Sequence, residues 1–122
     1  MLEVEKVELL TGDEVPSWFS YPRPFVRLVE SGITHFDPWW IFDRKFAREK
    51  LEGLKTRYPG RDLVPFARIE GTDDVACWEK GDLSRVVIVH DYADPGWEQR
   101  ATFGTFWDWF RSAIEDFIEF EP

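Results

Sequence analysis

Only two histidines occur, and each has a carboxylate close by in the chain: Asp37 beside His35, and Asp91 beside His90. An imidazole next to a carboxylate can serve as a general base or help to hold a metal ion. A hydrolase built on the His35/Asp37 and His90/Asp91 pairs would need both to converge in the fold. Ordinary surface or half-buried imidazoles have the same neighbours, so the expectation is no catalytic residue, no metal and no cofactor. The lone cysteine, Cys77, sits between Ala76 and Trp78 and reads as a small core residue rather than a nucleophile. No glycine-rich phosphate loop, Gly-x-Ser-x-Gly elbow or His-Glu-x-x-His pattern is present.

Recognition of another protein is the chemistry these residues favour. Lys plus Arg number 15 and Asp plus Glu 24, a net charge of −9. The excess is one-sided: residues 1–61 carry ten acids and ten bases, whereas residues 62–122 carry fourteen acids and five bases. Nucleic acid and anionic membrane both demand a basic surface and are disfavoured as partners. A basic protein is what such a field attracts. Glu70, Asp73 and Asp74 share one turn, and Asp82, Asp91, Asp94 and Glu98 fall in later turns or strand ends. Together they would form an acidic rim that steers and clamps its partner. Taken singly, each aspartate is equally explained by the hydrogen bonds that Asp makes in turns.

Aromatic residues make up 17% of the chain, with seven Trp and eleven Phe. The candidate charges for partner binding are Glu70, Asp73, Asp74, Asp91, Asp94 and Glu98, and the candidate anchors are Trp40, Trp78 and Trp97. Trp39 and Trp40 are adjacent, so in extended chain they point to opposite faces. Trp78 and Trp97 fall on expected strands, where alternation sends half of such residues outward. Trp109 lies about 100° from the centre of its helical stripe, at the margin. The area each indole must bury suits a core position as well.

The elements that would hold these residues follow from periodicity and punctuation. Leu2–Leu9 alternates imperfectly and is a possible opening strand. Tyr21-Pro22-Arg23-Pro24 starts a short helix with Phe25, Leu28 and Val29 on one face, closed by Gly32. Asp37–Phe42 reads as extended or turn. Asp43 looks like the N-cap of a second helix, with Phe46, Ala47, Leu51, Leu54 and Tyr58 at helical spacing and Pro59-Gly60 at its end. The period then changes. Leu63–Ile69, Val75–Glu79 and Arg85–His90 are β-branched and aromatic runs between Gly/Asp turns, and Trp97–Thr102 is a plausible fourth strand. A last helix carries Phe103, Phe106, Trp107, Phe110, Ile114 and Phe117 in one stripe. Asp108, Ser112, Glu115, Asp116 and Glu119 lie opposite, and Thr102 or Thr105 is the N-cap.

The length of 122 residues fits one domain spanning 1–122. Area scaling gives about 7,000 Å² folded against roughly 21,000 Å² unfolded, enough for an ordinary core. One cysteine excludes an internal disulfide. No run of 18 apolar residues occurs, and MLEVEKVELL has acids where a signal peptide has bases, so the chain is expected in the cytoplasm. Monomer and homodimer are both compatible with the spare aromatic residues. The expected class is α+β, with an antiparallel or mixed twisted sheet of four to six strands, N-terminal helices, and a C-terminal amphipathic helix packed on it.

Several segments, in order, resemble the SUKH superfamily of bacterial toxin-immunity proteins and a yeast cell-wall-synthesis regulator. They are Leu63-Val64-Pro65-Phe66-Ala67, the turn Glu70-Gly71-Thr72-Asp73-Asp74, Val75-Ala76-Cys77-Trp78, Val86–Asp91, and Thr102–Phe110. Upstream, Val15-Pro16 with Phe25 and Gly32 is similar to the family's opening helix, so the likeness spans about residues 15–118. A glycine-rich turn before the second strand is often seen in the family; here Gly71 stands alone beside two aspartates. The resemblance implies a SUKH-like domain without catalysis that binds a specific protein. For bacterial members that partner is typically a secreted toxin domain, often a nuclease, which the immunity protein blocks. A regulatory or scaffold module with a cellular partner and no toxin is the alternative.

Overall fold

The structure, a computed structural model, describes residues 7–121. Most of the possible opening strand Leu2–Leu9 lies outside the described residues, and Val7–Leu9 forms no strand. Three helices and six strands follow: α1 (Arg23–Glu30), β1 (His35–Phe36), β2 (Trp39–Ile41), α2 (Arg44–Arg57), β3 (Leu63–Ile69), β4 (Asp74–Glu79), β5 (Asp82–His90), β6 (Gln99–Phe103) and α3 (Phe106–Glu119). The strands form one antiparallel sheet in sequence order, β1 to β6. The class is α+β. Asp37–Phe42 resolves into the turn and second strand of a hairpin whose Asp37–Pro38 peptide is cis.

Local signals at the helix starts act as the residue types require. Pro22 is the N-cap residue of α1, and the proline after it sits where a missing N–H costs nothing. The Asp43 carboxylate accepts from the Phe46 N–H at 2.9 Å, capping α2. Thr105 rather than Thr102 caps α3, its hydroxyl accepting from the Asp108 N–H at 3.1 Å. Asp43→Ala is therefore expected to cost about 1 kcal/mol. Urea unfolding should show this as a lower midpoint with an unchanged slope.

Every residue from Leu63 to Ala67 is buried, as is every residue from Val75 to Trp78. Side chains alternate across a strand, so both faces of the sheet are covered. α2 packs on β3, while α3 packs on β5 and β6 and against α1. The α1/α3 side is an aromatic box in which Trp78 stacks on Phe66 with ring centroids 4.3 Å apart. Phe25 meets Trp78 edge-on at 5.0 Å, and Trp109 meets Phe66 edge-on at 4.8 Å.

The register of α3 differs from the expected one, and α2, which buries Ala47, Leu51, Leu54 and Tyr58 as expected, departs at one residue. α3 buries Phe106, Trp109 and Ala113, leaving Phe110 and Ile114 half-covered and Phe117 half-exposed. Trp109 is thus a core residue, not a marginal one. The box already holds Phe66 and Trp39, which accept an indole edge-on, and small Ala113 lets the helix approach. Asp116, expected on the outer face, accepts a 2.8 Å hydrogen bond from the Trp39 indole N–H and ties α3 to β2. On α2, Phe46 follows the apolar spacing yet is 56% exposed.

Candidate functional site

In an antiparallel meander, alternate connections fall at the same end of the sheet. The β1–β2 turn, the β3–β4 turn and the β5–β6 loop therefore share one end. The Asp91 N–H donates to the Asp73 carbonyl at 2.9 Å, joining two of them, and the Glu70 N–H reaches the Pro38 carbonyl at 2.7 Å, joining the third. Positive φ angles of 86° at Gly71 and 99° at Gly96 let the chain reverse in this rim without a Cβ clash. Tyr92 adopts φ 70° despite its side chain, a conformation that costs of order 1 kcal/mol or more.

This end gathers Glu70, Asp73, Asp74, Asp91, Asp94, Trp97 and Glu98, and the structure sorts them. Glu70, Asp73 and Asp94 are exposed and make no ion pair among the described residues. Trp97 is 79% exposed. It belongs to the β5–β6 loop, not to a strand, with its N–H turned in to the Asp94 carbonyl at 2.9 Å. Tyr92 adds a second open ring, 63% exposed, which the sequence reading did not select. The tyrosine ring covers the Arg57 guanidinium at 4.2 Å from its centroid. Its only sequence signal was its place beside the Asp91/Asp94 loop.

Three of the proposed contact residues are internal supports instead. Asp91 is fully buried and accepts from Arg57 Nε and Nη2 at 2.6 Å each and from Lys50 Nζ at 2.8 Å. Burial acts to raise the Asp91 pKa, but the hydrogen bonds from Arg57 and Lys50 outweigh it and hold the carboxyl below its ordinary value. Glu98 is buried at 7% exposure. It accepts from Gly96 N–H at 2.6 Å and from Arg61 Nη1 at 3.0 Å. Its pKa is also lowered: burial opposes, while the Gly96 N–H and Arg61 prevail. Arg61 binds Glu79 through two nitrogens at 2.9 and 3.1 Å, so it ties the start of β3 to β4 and to the β5–β6 loop. A carboxylate so occupied cannot clamp a partner without abandoning two or three charge-assisted bonds. Trp78 is 0% exposed and cannot be an anchor. β4 is covered on both faces from Val75 to Trp78, so alternation turns none of these four side chains out to solvent.

Trp40 is half-buried, with the His35 imidazole stacked on it at 3.4 Å and the Arg68 guanidinium 5.7 Å from its ring. Three strand spacings, roughly 14 Å, separate β2 from β5, so Trp40 does not join the exposed pair Tyr92 and Trp97. The histidines are farther apart still. His35 holds Asp37 at 2.8 Å, as the sequence suggested, but His90 Nδ1 holds Asp74 at 2.7 Å rather than Asp91. A strand's consecutive side chains point apart, and Asp74 is directly opposite His90 in the β4–β5 register. The two pairs sit on β1 and β5, four strand spacings or about 19 Å apart, and do not converge. Among the described residues no three His, Cys, Asp or Glu side chains are grouped as ligands for a metal ion. Cys77 is fully buried, and burial pushes its thiol well above the ordinary range, as befits a core residue. Among the described residues no helix is long and apolar enough to cross a membrane.

No family model, no curated protein and no solved structure matches the chain.

Proposed function

We propose that this chain is a protein-binding module of the SUKH type, a cytosolic immunity protein that docks and blocks a basic toxin domain. The observation carrying this reading is the rim where Glu70, Asp73 and Asp94, without ion-pair partners among the described residues, share one end of the sheet with the open rings of Tyr92 and Trp97. Exposed large rings beside unneutralised charge are the usual ingredients of an interface hot spot and its steering field. The buried ion pairs behind the rim favour a pre-organised surface. Arg57, Lys50 and Arg61 hold both ends of the β5–β6 loop, so little ordering entropy is spent on docking. A nuclease domain, with its basic active-site cleft, is the toxin class this surface fits best.

The test is to capture the partner from the native host on immobilised protein, then assay whether the chain suppresses that partner's activity. Trp97→Ala is expected to weaken binding by about ten- to a hundredfold through a faster off-rate. Its stability should stay within about 0.5 kcal/mol of the parent, because the indole is open to water. Asp73→Lys with Asp94→Lys should slow association and flatten its dependence on salt. Binding indifferent to all three changes and to salt would place the interface elsewhere. A captured partner whose activity is untouched would favour a scaffold role over immunity.

A further inference from the structure

The β5–β6 loop already holds one cation with a carboxylate and a ring together. The Arg57 guanidinium gives Nε and Nη2 to the Asp91 carboxylate at 2.6 Å each. It also lies 4.2 Å from the centroid of the Tyr92 ring, with Lys50 Nζ 5.3 Å from the same centroid. Two neighbouring residues of the loop thus recognise a guanidinium by its charge and by its flat face at once. A few residues further on, the loop presents the same two groups again. Asp94 opens a four-residue turn and Trp97 closes it, the Trp97 N–H donating to the Asp94 carbonyl at 2.9 Å. Pro95 in second place and Gly96 with φ 99° in third suit the type II form. Such a turn brings its first and fourth Cα atoms within about 7 Å, so a carboxylate and an indole stand within reach of one guanidinium. All four residues of the turn are exposed. Among the described residues Asp94 makes no ion pair, and no cation of the chain lies over the Trp97 ring.

We propose, resting on the protein-binding reading above, that Asp94 and Trp97 form a seat for one arginine side chain of the partner protein, its guanidinium lying flat on the indole and donating to the carboxylate. A guanidinium suits the pair better than an ammonium does. It is planar, weakly hydrated and donates through a fork, whereas lysine offers a compact, strongly hydrated charge. Tyr92 is not a second seat, because Arg57 and Lys50 already lie against its ring and would repel a further cation. The other cations of the region leave Asp94 uncompensated. Lys50 and Arg57 are held by Asp91, and Arg61 by Glu79 and Glu98. Arg100, exposed on β6, makes no ion pair among the described residues. The turn is braced from within, so the seat exists before the partner arrives. The buried Glu98 carboxylate accepts from the Gly96 N–H at 2.6 Å, and the Tyr58 hydroxyl donates to the Ala93 carbonyl at 2.8 Å. Glu70 and Asp73, on the β3–β4 turn at the same end of the sheet, add to the steering field.

Two-dimensional proton–nitrogen NMR of the full chain, titrated with capped hexaarginine and separately with capped hexalysine, tests the proposal. The indole signal of Trp97 is the one missing from Trp97→Phe. The expected result is that hexaarginine moves this signal to saturation and binds about threefold or more tighter than hexalysine of equal charge. Asp94→Asn, which removes the charge at an exposed position and keeps its shape, should bring the two peptides to the same affinity while the rest of the spectrum stays unchanged. Asp73→Asn should weaken both peptides alike and preserve the arginine preference, as a change in the field alone would. A Trp97 signal indifferent to hexaarginine, equal affinity of the parent protein for the two peptides, or a preference that survives Asp94→Asn overturns the proposal. The outcome is separable from that of the immunity reading. An arginine preference lost with Asp94 upholds the seat even where no toxin is captured, and a captured, inhibited partner whose binding ignores Asp94→Asn overturns the seat while the immunity reading stands.

Discussion

Trp78→Ala is expected to lower the unfolding free energy by about 3–5 kcal/mol, a large share of the stability of an ordinary domain. The indole is 0% exposed and lies at the centre of the aromatic box. Phe66 stacks on it at 4.3 Å, Phe25 meets it at 5.0 Å and Phe19 at 5.4 Å, so strand, helix and amino-terminal segment all lose a neighbour at once. The cavity cannot close cheaply, because its walls are rings fixed to three different elements. Trp78→Phe should recover much of the loss. It keeps a ring in the stack, and it removes an indole N–H that has no hydrogen-bond partner. Urea unfolding of both variants beside Trp97→Ala gives the measurement. Equal losses at Trp78 and Trp97 would contradict the assignment of one to the core and the other to the rim.

Asp91→Ala is expected to cost about 3–5 kcal/mol, because it strands two cations against the sheet. The lower end of that range applies, since the Lys50 and Arg57 side chains keep 22% and 30% of their exposure and remain partly hydrated. The same carboxylate sets an acid limit. Its pKa is lower in the folded protein than in the unfolded chain, so between those two values the unfolded state binds the extra proton. The stabilisation is therefore present in full above the ordinary carboxylate range, near pH 4. It is lost as pH falls through the folded-state value. Thermal unfolding between pH 6 and pH 3 should show the parent losing stability more steeply than Asp91→Asn. A parallel decline in both proteins would mean that other carboxylates govern the acid response.

Much of the architecture was legible along the chain because it rests on short-range stereochemistry. A proline near the first turn, Asp43 and Thr105 as caps, and Gly/Asp turns between β-branched runs each act over three or four residues. The strands β3, β4 and β5, both N-terminal helices and the closing helix all lie where those signals put them, with shifts of a few residues at their ends. The rim was half legible. Turn aspartates announced that acids would collect between strands, and alternation of connections in a meander brings those turns to one end.

What a linear reading could not supply is the identity of the group across the gap. Periodicity marks a face of α3 as apolar without saying whether Trp109 or Phe110 meets the sheet; the shape of the box formed by Phe66 and Trp39 settles that. Asp91 and Glu98 look like Asp73 and Asp94 in sequence. They differ because Lys50, Arg57 and Arg61, separated from them by 34 to 41 residues along the chain, come to rest against them and leave no charge to spare. Side-chain type states which bonds a residue can make. Long-range contacts, formed only when the whole chain is packed, determine which of those bonds are already taken and which remain open to a guest.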